Sequence, residues 1–200
     1  SGHVPESQSR PLPAGGKILP ITRWGTPVMH HELADVVEFD DDLRTLVADM
    51  VATMYAAEGV GLAANQVGVD RKVFVFDCPN DEGERITGVV CNPVLELPEG
   101  KHRTLDVAAE GCLSLPGAFV DCGRPDTASV TGQDENGNQI RFDGDGLLAR
   151  CLQHETDHLY GTVFGDRVPE KSRKRLYKTH EKLADMYPAD WPVSPIIDDE

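Results

Sequence analysis

Residues 146–159 read GLLARCLQHETDHL, and the interpretation of this stretch decides how the rest of the chain is understood. It reads as a helix, and within it stands His154-Glu155-Thr156-Asp157-His158, an H-E-x-x-H pentapeptide. Two histidines four apart share one helix face, one turn above the other, so both imidazoles can reach a single metal ion. Glu155 points close to the same spot without having to ligate. That leaves it free to move a proton to or from a water activated by the ion. A histidine pair on a helix is also a common hydrogen-bonded core feature, so the pentapeptide needs a third donor from elsewhere.

The segment Glu110-Gly111-Cys112-Leu113-Ser114 supplies one. Glycine lets the backbone come close to a metal, and a cysteine beside it is a plausible thiolate ligand. Cys112 with His154 and His158 makes a three-donor set that keeps a fourth position open, as catalytic sites do. Cys151, three residues before His154, is a rival. Three ligands from one short helix would strain the geometry, so Cys151 is read as a wall beside the metal. Two imidazoles and a thiolate suit Zn²⁺, Fe²⁺, Ni²⁺ or Co²⁺.

A third stretch, Gly59 to Gly68, packs small residues around a single glutamine, Gln66. It predicts a close-packed loop that brings backbone amides and one side-chain amide to a reacting group. It lacks the Lys-Ser/Thr ending of a phosphate loop, which argues against nucleotide binding.

Around these stretches the pattern predicts an α+β fold, with short antiparallel strands wrapped around a central metal-binding helix. Asp40 to Asp42 mark the start of an N-terminal amphipathic helix whose stripe is Leu43, Leu46, Val47, Met50, Val51 and Met54, with Gly59 as its stop. Val73–Phe76 and Val89–Cys91 read as strands separated by a turn-prone region at Pro79 to Gly83. Ala128–Thr131 and Gln139–Phe142 read as a hairpin turning at Asn136-Gly137. A C-terminal helix follows Pro169. The expected division is a flexible lead-in over 1–16, a single catalytic domain over 17–186 and an acidic, proline-containing tail over 187–200.

At 200 residues the chain suits one compact domain. A net charge of −15 opposes broad nucleic-acid binding, so no direct nucleic-acid readout is expected. The basic block Lys171 to Lys178 is read as a solvated helix face, with docking to an anionic partner as the alternative. No apolar run is long enough to cross a bilayer and no signal segment opens the chain, so a cytoplasmic protein is expected. Five cysteines, an odd count, argue for reduced thiols rather than a disulfide framework.

Gly59-Val60-Gly61-Leu62-Ala63-Ala64-Asn65-Gln66, Glu110 to Ser114 and Gln153 to His158 together resemble the peptide deformylases in order and spacing. The match extends to Asn92-Pro93, to Leu159-Tyr160-Gly161 and to Asp166-Arg167. The resemblance implies removal of the N-formyl group from the initiator formyl-methionine of newly made polypeptides, with release of formate. It puts the metal ligands on Cys112, His154 and His158, one ion per chain, and favours Fe²⁺ with Zn²⁺, Ni²⁺ or Co²⁺ as substitutes. Glu155 falls on the general base, and Gln66 with the backbone N–H of Leu113 falls on the oxyanion donors. Gly61 falls on the backbone that pairs with the substrate peptide.

On the same resemblance, Glu110 and Arg124 form an ion pair behind the cysteine loop. Val60, Leu148, Cys151 and Leu152 are the expected lining of the methionine pocket, since a flexible thioether wants an adaptable apolar slot. Phe119 departs from the pattern, standing where several relatives carry an arginine that holds the substrate backbone. The region of Lys171 to Lys178 contacts the ribosome in some relatives; here an acidic tail follows it and weighs against that contact. The rival readings are a zinc endopeptidase of the H-E-x-x-H type, for which Asp166 is the best available third ligand, and a non-catalytic protein with a structural metal closed by Cys151.

Overall fold

The computed structural model describes residues 6–197. Helix α1 (Asp41–Ala56) begins where the acidic signal predicts, and the Asp40 carboxylate accepts the Leu43 N–H at 3.0 Å. Its stripe of Leu43, Val47, Met50, Val51 and Met54 is buried. The stop differs from the expectation at Gly59. The helix ends at Ala56, and Glu58, at φ 57°, makes the left-handed turn. Gly59 instead lies against Leu113, whose Cδ1 a Cβ there would approach to 2.6 Å and so push aside.

Strands β1 (Gly61–Ala63), β2 (Val73–Pro79) and β3 (Arg85–Glu96) follow. Next come the hairpin of β4 (Leu105–Cys112) and β5 (Leu115–Pro125), then β6 (Thr127–Gln133) and β7 (Gln139–Asp145). Helix α2 (Gly146–Leu159) and helix α3 (Glu170–Leu183) complete the order. Five strands form one antiparallel sheet ordered β1-β2-β3-β6-β7, and β4-β5 stand apart as a second, two-stranded sheet.

The apolar run Val73–Phe76 reflects a strand covered on both faces. Val73 and Val75 pack with the stripe of α1, whereas Phe74, Phe76 and Cys78 pack with α2. On the α2 side, Phe142 meets Phe76 edge-on with ring centroids 4.9 Å apart. Gly88 lies beneath Phe142, where any Cβ would run into the ring. A third cluster joins the β4–β5 hairpin to Val163, Phe164 and Leu176 of α3.

The ends of the described chain are tied to this body. Ser7 bridges to Arg141 and the Arg10 N–H donates to Thr87 O at 2.9 Å. Trp191 is buried in the α1 cluster, and its carbonyl accepts the Ile21 N–H at 2.9 Å. The first five residues of the lead-in and the last three of the tail lie outside the described residues. No described helix is long and apolar enough to cross a membrane. Phe142→Ala is expected to lower unfolding stability by about 3–5 kcal/mol, read from the urea midpoint. Val37→Ala, at 82% exposure, should change it by less than about 0.5 kcal/mol.

Candidate metal centre

Helix α2 is buried from Leu148 to Leu159, and His154 and His158 lie on its inner side. Their Nε2 atoms stand 3.1 Å apart. Cys112 reaches them from the end of β4, where the ladder shifts register between Gly111 and Cys112 and turns tightly into β5. Its Sγ lies 3.4 Å from His158 Nε2, and one donor atom from each of the three residues falls within 4.8 Å of the others. All three side chains are buried.

The tautomer of His154 is fixed by its other nitrogen. Glu110 Oε2 lies 2.7 Å from His154 Nδ1, and a carboxylate can only accept, so Nδ1 carries a proton and Nε2 is the nitrogen left to face an ion. One sulfur and two converging ring nitrogens fit a divalent transition-metal ion. Cys151 lies outside this group, with its Sγ 3.6 Å from Val60 O.

Behind the site is a buried charge network. Arg124 grips Glu110 with Nε and Nη2, both at 2.8 Å, and Arg150 Nη1 adds a third donor at 3.0 Å. Arg124 Nη1 also donates to Asp157 at 3.1 Å, and Arg167 grips the same carboxylate from outside. Burial alone would raise the Glu110 carboxyl. The hydrogen bond from His154 and the Arg124 guanidinium outweigh it and hold the group well below the usual carboxylate range.

Glu155 has the opposite setting. Burial pushes its carboxyl up to about 7, and its Oε1 has no partner among the described residues. Gly61 passes directly over it, since a Cβ there would come within 2.7 Å of Glu155 Oε2 and 2.9 Å of Cys151 Sγ. Gln66 is held by the Ala63 N–H, which donates to its Oε1 at 3.0 Å. The amide Nε2 is thereby turned toward Cys112 Sγ at 3.6 Å and Ser114 Oγ at 3.2 Å.

These groups open into a cavity of about 450 Å³. Val60, Gly61, Gln66, Leu113, Cys151 and Glu155 line it, as does Phe119, which is exposed at its mouth. Leu148 and Leu152 do not. Both are buried in the core between α2 and the sheet, and this corrects their assignment to the pocket. One helix step is about 100°, so the face that carries Cys151 and Glu155 carries Leu147, four residues earlier. Leu147 lines the cavity, and counting back in fours from Glu155 would have found it.

Sequence reasoning also missed Asp157 and Arg150. Asp157 is one of the variable positions of the H-E-x-x-H pattern, and nothing local marks either residue as a partner of the β4–β5 hairpin. Tyr187, Trp191 and Ile196 of the tail reach the cavity as well.

A family model described as polypeptide deformylase matches residues 18–174. The chain is 55% identical over 174 residues to peptide deformylase 1 of Streptomyces avermitilis, spanning 86% of this chain and 80% of that protein. It superposes on a solved peptide deformylase from Legionella pneumophila with a TM-score of 0.74 at 35% identity, covering 84% of this chain and 96% of that one. A peptide deformylase from Synechococcus elongatus, solved in complex with actinonin, gives 0.73 at 37% identity over 88% and 94% of the two chains.

Arg124→Met strands the Glu110 carboxylate with part of its pairing gone and is expected to cost about 3–5 kcal/mol in urea unfolding. The conservative Glu110→Gln should weaken metal retention about tenfold to a hundredfold in a competition titration against a chelator.

Proposed function

This chain belongs to the polypeptide deformylase family, and on that premise we propose that it hydrolyses the N-formyl group from the formyl-methionine of newly made polypeptides through a single metal ion held by Cys112, His154 and His158. The observation that carries the reading is the convergence of those three donors beside a buried carboxylate, Glu155, that keeps one oxygen unpartnered. When bound, the ion supplies Lewis acidity, which makes a water acidic at neutral pH and draws charge from the formyl oxygen.

The chain's own groups do the rest. Glu155 takes the proton of the attacking water at its carboxylate and returns it to the departing amine nitrogen. Gln66 Nε2 and the Leu113 N–H donate to the formyl oxygen as negative charge grows there. Among the described residues β1 is an edge strand of its sheet, so the Gly61 backbone is free to pair with the peptide as one more strand. Val60, Cys151 and Leu147 offer an apolar slot for the methionine, and the Glu110–Arg124 pair keeps His154 in orientation.

Two imidazoles and a thiolate suit Fe²⁺, Zn²⁺, Ni²⁺ and Co²⁺ alike; the resemblance in sequence favours Fe²⁺ as the native ion, with the others as substitutes. The substrate is a nascent chain, which supports a cytoplasmic setting near the ribosome. The exposed basic residues of α3 are the surface that such proximity would use. The endopeptidase alternative draws no support, because Asp166 Oδ2 is engaged by the Val163 N–H at 3.0 Å in its own turn.

A short formyl-Met peptide incubated anaerobically with Fe²⁺- or Ni²⁺-loaded protein should release formate with no internal cleavage; cleaved chain without formate would overturn the reading. Glu155→Gln should keep its metal and lose turnover by about 10²–10⁴-fold. Gln66→Ala should raise the barrier by about 3 kcal/mol. Elemental analysis should find metal retained in Cys151→Ala and lost in Cys112→Ala, and the reverse pattern would undo the ligand set.

A further inference from the structure

One wall of the cleft is built by a segment beyond the family match, which ends at residue 174. Tyr187, Trp191 and Ile196 line the same cavity as Cys112 and Glu155. This segment is anchored. The Ile21 N–H donates to Trp191 O at 2.9 Å, and Arg23 Nη2 donates to Pro188 O at 2.9 Å. Trp191 meets Tyr187 edge-on with centroids 5.0 Å apart. The Ile197 N–H donates to Met186 O at 2.8 Å, closing a loop that returns Ile196 to the cleft. On the hairpin side Gly117, at φ 81°, gives the loop room, since a Cβ there would come within 3.2 Å of Tyr187 Oη.

The two walls of the cleft belong to opposite faces of the main sheet. Cys151 packs in the cluster of α2, whereas Trp191, Tyr187 and Leu113 pack in the cluster of α1. A peptide paired as a strand on the edge of β1 sends successive side chains to opposite sides. With the methionine directed at Leu147 and Cys151, the next side chain is directed at the tail.

We infer that Tyr187, Trp191 and Ile196 form an apolar subsite that selects a hydrophobic residue immediately after the methionine. The inference rests on the deformylase reading and deepens it. Glu58, an exposed acid that also lines the cavity, adds to the discrimination by repelling an acidic side chain.

The test compares formate release from formyl-Met-Leu-Ser, formyl-Met-Ala-Ser and formyl-Met-Asp-Ser by the full metal-loaded chain. The wild type should favour leucine over alanine in kcat/KM by about tenfold. Ile196→Asp should cut that ratio by about fivefold or more, chiefly through KM, because binding common to ground and transition states is lost. Ile196→Lys should raise the aspartate peptide relative to the alanine peptide, a gain that a merely structural role for the loop would not give. Val193→Asp, on the same segment but outside the cavity, should leave the ratios as they are. Formate release with equal ratios in the wild type, or with ratios unmoved in both Ile196 variants, would overturn the subsite and leave the deformylase reading intact. No formate from any peptide would sink the reading on which the subsite rests.

Discussion

A single buried carboxylate holds the working parts in register. Glu110 accepts two hydrogen bonds from Arg124 on β5, one from Arg150 and one from His154 on α2. A charge taken out of water at that depth is tolerated only when its partners surround it, and losing any of them leaves the others uncompensated. The two-stranded sheet shares no ladder with the main one among the described residues, so these polar contacts and the cluster under α3 fix its position. Cys112 sits two residues from Glu110 on the same strand. The bond that orients His154 therefore also sets how far the thiol stands from the imidazoles.

The main sheet imposes the second constraint. Helices cover both of its faces, so α2 must give one side to Phe74, Phe76 and Phe142 and still present another to the cleft. Leu148 and Leu152 serve the first side; Leu147, Cys151 and Glu155 serve the second. Cleft lining and core packing are thus separated on one helix by about a single residue step. Almost no position on it is free to vary without disturbing one or the other.

Much of this was legible in the sequence because its signals are local. The span of α2, the Asp40 cap, the hairpin turn at Gly137 and the three-donor set all follow from spacing or from residues adjacent in the chain. The β4–β5 hairpin was not legible. Leu105, Val107 and Ala109 face outward while the charged Glu110 points inward, inverting the alternation that marks a half-buried strand. The tail misleads by composition: prolines and acids surround Trp191, and only a long-range contact with α1 shows that the indole is buried. Leu148 and Leu152 were misplaced for a different reason. Apolar character identifies a wall, but only the helical angle says which wall.

Gly61 has a consequence for how this site can change over generations. Any Cβ at that position would press on Glu155 and Cys151, so a side chain there is housed only by displacing that carboxylate and the thiol beside it. A replacement that must move Glu155 to fit disturbs the site itself, which makes it a costly route of escape. An inhibitor that draws its affinity from the Gly61 backbone leans on atoms that every residue type carries, whereas one that leans on Phe119 or Ile196 leans on exposed side chains that a single substitution removes.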